Sequence, residues 1–297
     1  MSISAEPLVS YLRQLQAMGQ THVSVDDDAR LILREFYMRA RAGNAAGVGK
    51  EAQSLPVRQP ESKSEVKFSE TPVEPAAPAT PAALALTVSG GNAREKIENL
   101  RQQAEKWKPA RDLGSLRQTM VFSTGNPEAD VMLVGEAPGF DEERLLEPFV
   151  GKAGQKLDDI LRAMGLDRKQ CYLSNIVKFR PAMPNQTTNN RKPTKDETAS
   201  CMPFIEQEVS IVQPKVIIAL GGTAAHALLG CDLAVAKMRG SFHTFHGIAL
   251  RVTYHPSYIL HNEATSEKRK LWEDMLEVMG FLGMPVSDKQ KAFFLTK

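Results

Sequence analysis

Four short segments of the chain combine residue types that can hold a ligand and move a proton. They are Gly135-Glu136-Ala137-Pro138-Gly139, Asn175 followed by Ile176-Val177-Lys178, Gly221-Gly222-Thr223, and Tyr254-His255-Pro256-Ser257. Together they supply a carboxylate, an amide, a glycine turn and an imidazole. Gly135 and Gly139 bracket a proline, which makes a rigid loop where backbone can approach a ligand closely. Pro138 and Pro256 each fix φ and so hold the polar groups beside them in place. Taken singly, each of these is a turn residue more often than a functional one. What they share is position, because each directly follows a short apolar run.

Those runs, at 130–134, 170–174, 215–220 and 248–253, have the length and composition of buried strands. Amphipathic stretches of helical length lie between them at 154–164, 195–212 and 222–229, with another at 268–279 and a charged helix at 93–107 leading in. Alternating strands and helices predict an α/β domain over residues 92–283, a three-layer α/β/α arrangement around a central four-stranded parallel sheet. In such a sheet ligands bind outside the carboxyl ends of the strands. The four segments therefore share one rim, a convergence that isolated turn residues do not explain.

The rest of the chain is less telling about chemistry. A net charge of +2, from 37 basic and 35 acidic residues, excludes a protein that coats nucleic acid by charge alone, so any DNA must be held by a local patch. The three cysteines, Cys171, Cys201 and Cys231, include no CxxC pair and read as buried thiols. Residues 1–41 carry a helical rhythm (Leu8, Leu12, Leu15, Met18, then Leu31, Ile32, Phe36), too short to bury a core alone. We expect a helical hairpin there that docks on the main domain or on a protein partner. Residues 42–91, with prolines at 56, 60, 72, 75, 78 and 81 among Ala, Ser, Glu and Gly, read as a disordered linker, and 284–297 as a tail. No run reaches the ~18 apolar residues of a membrane span and the start lacks the pattern of a secretory signal, so the expected compartment is the cytoplasm.

Six blocks, GEAPGFDEE, PFVGKAGQ, LSNIVKFRP, NRKPT, IIALGGTAA and YHPSYIL, resemble in order and spacing the uracil-DNA glycosylase superfamily, in particular its iron–sulfur (family 4) branch. The likeness spans about 112–280 and does not reach residues 1–90. It implies an enzyme that flips uracil out of DNA and hydrolyses its N-glycosidic bond in base-excision repair, with uracil-containing DNA as partner and no membrane. By the same resemblance Glu136 orients water or stabilises an oxocarbenium-like sugar, with Asp141, Glu142 or Glu143 as sharers of that role. His255 hydrogen-bonds uracil O2 and stabilises the departing base. Asn175 reads the Watson–Crick edge, since one amide can donate to O4 and accept from N3–H. Phe149 stacks on the base, its alternative being a core position beside Val150. Gly135 and Ala137 line the base pocket. Lys178, Arg180, Gly221, Gly222 and Ser257 are expected at the DNA backbone, with Arg191 and Lys192 as further candidates. Leu260, next to Tyr258 and Ile259, is expected as a wedge into the helix.

The chain departs from that branch at the metal. Four cysteines hold the family's cluster, and here the CxxC is missing, Phe179 replaces the cysteine of the VKCRP block, and only Cys201 matches. One thiolate cannot hold a [4Fe–4S] cube, so no cofactor is expected and apolar packing around Phe179 should replace it. No histidine lies between 165 and 220, so ordinary turnover is expected without covalent capture of the abasic sugar. The alternative is a catalytically weak module that binds DNA or uracil and is recruited to repair or replication partners. A Rossmann-type nucleotide binder is disfavoured because neither GxGxxG nor GxxxxGK[ST] follows the first strand.

Overall fold

The structure is a computed structural model that describes residues 86–295. The hairpin expected at 1–41 and most of the linker expected at 42–91 lie outside the described residues. Leu86 and Val88, the end of that expected linker, pack against the core, so the domain begins ahead of residue 92.

Helices α1 (Ala93–Glu105) and α2 (Lys108–Arg111) lead into strands β1 (Leu116–Met120), β2 (Thr124–Gly125) and β3 (Val131–Gly135). There follow α3 (Phe140–Leu145), α4 (Lys152–Met164), β4 (Tyr172–Asn175), β5 (Phe179–Pro181), α5 (Lys195–Val212), β6 (Val216–Leu220) and α6 (Gly222–Leu229). The chain continues through α7 (Val235–Met238), β7 (Phe242–Phe245), β8 (Ile248–Thr253), α8 (Pro256–His261), α9 (Thr265–Phe281) and α10 (Asp288–Lys291).

The main sheet runs β2-β4-β3-β6-β8-β7. Its four central strands are parallel, as expected, but antiparallel β2 and β7 extend it to six. Strand β7 joins β8 through His246-Gly247, both at positive φ, which is the geometry a two-residue hairpin turn requires. A separate antiparallel pair, β1 with β5, was also not anticipated.

Strand period decides the layering. Val131 and Leu133 face one apolar cluster with Leu157, Leu161 and Met164 of α4 and Trp272 and Met275 of α9. Met132 and Val134 face the other, with Leu100 of α1, Phe204 and Val209 of α5 and Ala224 of α6. Both faces are covered, so the two innermost strands, β3 and β6, are apolar throughout and not alternating. The expected tail docks too: Met284, Val286 and Phe293 pack on the first cluster, and Trp272 Nε1 donates to Gln290 O at 2.7 Å.

Register brings the strand ends into line. Gly135 lies beside Asn175, and Leu220 beside Thr253. Beyond the strands, Ile176 N–H donates to Gly135 O at 2.9 Å, Val177 N–H to Glu136 O at 3.0 Å, and Gly221 N–H to Thr253 O at 2.9 Å. The rim loops are thus tied to one another by backbone before any side chain is counted.

Candidate active site

Gly135 sits between two side chains of the site. A Cβ there would lie 2.4 Å from Asn175 Oδ1 and 2.5 Å from Phe149 Cζ, so only glycine lets amide and ring close over the strand end. Phe149 itself has φ +58, which an L residue holds only when its surroundings enforce it. They do. Glu142 accepts from the N–H groups of Gly139 (3.1 Å), Val150 (3.2 Å) and Gly151 (2.9 Å), clamping the two loops together. Arg168 donates to the carbonyls of Pro148 (3.2 Å) and Phe149 (2.9 Å). Gly154 completes the seat, since a Cβ on it would meet Phe149 O at 1.7 Å. The Phe149 ring lies 6.3 Å from the His255 ring, tilted by 32°.

Asn175 is 4% exposed, and its side-chain amide makes no hydrogen bond within the protein among the described residues. Glu136 accepts a hydrogen bond from Thr223 Oγ1, in the first turn of α6. Burial raises the Glu136 carboxyl above its ordinary range, while the Thr223 bond and the charge of Lys192 pull it back.

His255 caps α8. Its Nδ1 accepts from Ser257 N–H at 3.2 Å and lies 2.7 Å from Ser257 Oγ. Burial lowers the imidazole to about 4, so at neutral pH it is uncharged. With Nδ1 accepting, the single proton resides on Nε2, where it can be donated to a ligand. Gly221, at φ +89, lets β6 approach: a Cβ there would stand 2.9 Å from His255 Cβ.

Gly135, Glu136, Asn175 and His255 thus stand at the ends of β3, β4 and β8 or just beyond them, and Phe149, between α3 and α4, closes over Gly135. Ala137 follows Glu136 with its side chain packed on the core.

The residues expected at the DNA backbone fare differently. Lys178 is 0% exposed and ion-paired with Glu208 at 2.6 Å, so it cannot reach a phosphate. Arg180, 2% exposed, donates to Asn190 Oδ1, Glu143 and the carbonyls of Thr187 and Asn189, and holds the 187–190 loop instead of DNA. Arg191 is bound to Glu197 and to the carbonyls of Ala182 and Ser115. The Gly221 amide is taken by Thr253, and Ser257 is turned onto His255. For Lys178 and Arg180 these are corrections with one cause: sequence shows a charge but not the internal partner it finds. Lys192 remains, exposed and close enough for its charge to act on Glu136. Gly222 heads α6, and Leu260 is half-buried. Ile259 is core, and Tyr258 stacks on Tyr254 at 4.7 Å.

Glu142 and Glu143, expected as sharers of the Glu136 role, are engaged with other protein groups in this geometry. Glu142 holds loop backbone, and Glu143 pairs with Arg117 (2.6 Å) and Arg180 (3.0 Å). Thr223 was the residue that sequence reasoning passed over. Its signal was its place in the first turn after the glycine pair.

The residues present do not fit an iron–sulfur cube. Cys171 and Cys201 lie in the clusters on opposite faces of the sheet, and Cys231 sits beside Met238, 3.6 Å between sulfurs. Burial raises the Cys201 thiol and pushes Cys171 up to about 12, so neither offers a ready thiolate. Cys201 shares its cluster with Phe179, Phe204 and Trp107, and the last two meet edge-on at 5.1 Å. No group of three or more His, Cys, Asp or Glu that could hold a metal occurs among the described residues.

Comparison with known proteins agrees with the resemblance read from the motifs. The family model described as Uracil DNA glycosylase superfamily matches residues 122–276. A Type-4 uracil-DNA glycosylase of Thermotoga maritima is 35% identical over 191 residues, 64% of this chain and 96% of that protein. Type-4 uracil-DNA glycosylases of Sulfurisphaera tokodaii and Pyrobaculum aerophilum are 32% and 36% identical, covering 57% and 51% of this chain and 77% and 79% of theirs.

Proposed function

The chain belongs to the uracil DNA glycosylase superfamily, and on that premise we propose that it excises uracil from DNA by hydrolysing the N-glycosidic bond, as the first step of base-excision repair in the cytoplasm. One observation carries the reading. A half-buried carboxylate, a buried amide, a neutral imidazole and an aromatic ring converge where four parallel strands end.

The base cannot react inside the stack, so the nucleotide must be extruded to meet this rim. Phe149 stacks on it, held in its unusual backbone by Glu142, Arg168 and Gly154. Asn175 donates to O4 and accepts from N3–H, a pattern that cytosine reverses. Breaking the glycosidic bond moves an electron pair onto the base and leaves positive charge on the sugar. His255 donates Nε2–H to O2 as negative charge gathers there, and being neutral it stabilises the anion through a hydrogen bond. Glu136, steered by Thr223, faces the opposite demand: its ionised form stabilises the sugar cation and aligns the water that adds to C1′. Lys192 and the amides at Gly222 are the donors we assign to flanking phosphates, and Leu260 is the wedge. No step needs a metal. The apolar block of Trp107, Phe179, Cys201 and Phe204 is our reading of what stands in the cluster's place, and the purified protein should be colourless and iron-free.

The test is incubation with an oligonucleotide carrying one uracil, followed by alkaline cleavage of abasic sites. The wild-type protein should give a strand break at that position. Glu136→Gln and His255→Ala should each lose at least ~100-fold in kcat/KM while still binding DNA. An intact oligonucleotide after wild-type treatment would overturn the reading.

A further inference from the structure

Under the rim lies a charged cluster closed off from solvent. Lys178, Glu208 and Ser174 are each 0% exposed. Lys178 Nζ donates to Glu208 Oε2 at 2.6 Å, to Ser174 Oγ at 2.6 Å and to the main-chain carbonyl of Asn175 at 2.9 Å. Ser174 Oγ reaches both Glu208 oxygens, at 3.2 and 2.9 Å. Tyr172 OH donates to Glu208 Oε1 at 3.1 Å. All three ammonium donors are matched.

Packing does not call for charges here. Two ions taken out of water carry a desolvation cost that apolar side chains of the same volume avoid. An apolar pair, however, cannot hold a carbonyl, and a charged donor makes a hydrogen bond about twice as strong as a neutral one. The carbonyl concerned belongs to the peptide unit between Asn175 and Ile176. Its N–H is taken by Gly135 O at 2.9 Å. Both ends of that peptide are therefore pinned, one by the neighbouring strand and the other by Lys178. Its orientation sets the direction in which the Asn175 side chain leaves the backbone.

We propose that the Lys178–Glu208 ion pair is a positioning device that aims the Asn175 amide at the base edge. The inference rests on the reading of Asn175 as the group that recognises uracil. Lys178 acts through the Asn175 carbonyl and touches neither base nor phosphate.

The experiment uses the full-length protein as a Lys178→Met/Glu208→Gln double variant, with Asn175→Ala beside it, both checked for folding by circular dichroism. Measured are kcat and KM on the single-uracil oligonucleotide, inhibition by free uracil, and the salt dependence of DNA binding. The double variant should lose kcat by about 100-fold, the scale of a misplacement near 1 Å, and bind free uracil correspondingly more weakly. Its DNA affinity and salt dependence should match the wild type. Wild-type kcat and uracil inhibition in the folded double variant would overturn the inference, and so would a shallower salt dependence, which would mark Lys178 as a phosphate contact. Unimpaired excision by Asn175→Ala would instead remove the reading on which the inference rests. Should the double variant not fold, Glu208→Gln alone keeps an acceptor for Lys178 and carries the same expected loss and the same overturning result.

Discussion

Two regions of this protein that hold polar groups away from solvent differ in how fully those groups are partnered. On the rim, Glu136 has Thr223, His255 has Ser257, and the Asn175 amide has no protein partner among the described residues. Along β8 and α9, Asp274 accepts from Arg251, Arg239 and Thr253. A carboxylate with both oxygens filled in a low dielectric rigidifies what it holds, whereas a polar group left open keeps capacity for a ligand at some cost to stability. The contrast teaches where to look for function: at the strand ends, where polar groups shielded from solvent keep atoms free for a ligand.

The largest expected effect lies at the Asp274 carboxylate, whose two oxygens are both filled. Asp274→Ala leaves two guanidiniums without their acceptor and should lower unfolding stability by about 3–5 kcal/mol. A denaturant midpoint unchanged from wild type would break the comparison.

Next comes His255, whose native value of about 4 lies below the ~6.5 of an unfolded chain. Between those values the unfolded state binds the extra proton, so stability is full above about pH 6.5 and falls as pH drops toward 4, by roughly 3 kcal/mol. His255→Ala should flatten that part of the stability–pH curve, and a curve of the same slope would show the imidazole is not held neutral.

Glu136 shifts the other way. Because its native value is raised, the stability it contributes is present at low pH and is lost as pH rises through that value. Glu136→Gln should therefore melt above wild type at pH 7, with the gap closing in acid. The acid limb of wild-type kcat/KM should sit above the ordinary carboxylate range. An unaltered melting temperature at both pH values would count against a strained carboxylate.

The smallest effect tests the same loop from outside. Leu146 has φ +58 and is 63% exposed, so its strain is not offset by burial. Leu146→Gly should stabilise by up to about 1 kcal/mol in thermal unfolding. Lower stability would show that Leu146 has packing its exposure conceals.

Legibility followed from how local each signal is. The four central strands and the long helices were readable because their apolar runs are contiguous and their ends are marked, as at Thr194 with Glu197 before α5. The edge strands were not. β2 has two residues and β7 (FHTF) mixes polar with apolar, so neither offers a period; only His246-Gly247 hinted at the hairpin. Within the site, Glu136, Asn175 and His255 stood out because each follows a strand. The basic candidates misled because Lys178, Arg180 and Arg191 look alike in sequence whether they face solvent or an internal carboxylate.

By itself the sequence determined the parallel α/β frame, the rim on which the reactive residue types gather, the superfamily, and the shortage of cysteines. Those depend on residue order and strand period. Tertiary structure alone decided which charges are buried, that Glu142 clamps a loop, and that Phe149 holds a left-handed backbone over Gly135. Each of these is a contact between residues distant in sequence or a backbone state imposed from outside. The free energy of a polar group depends on what meets it in the folded chain, and that is written in no single segment.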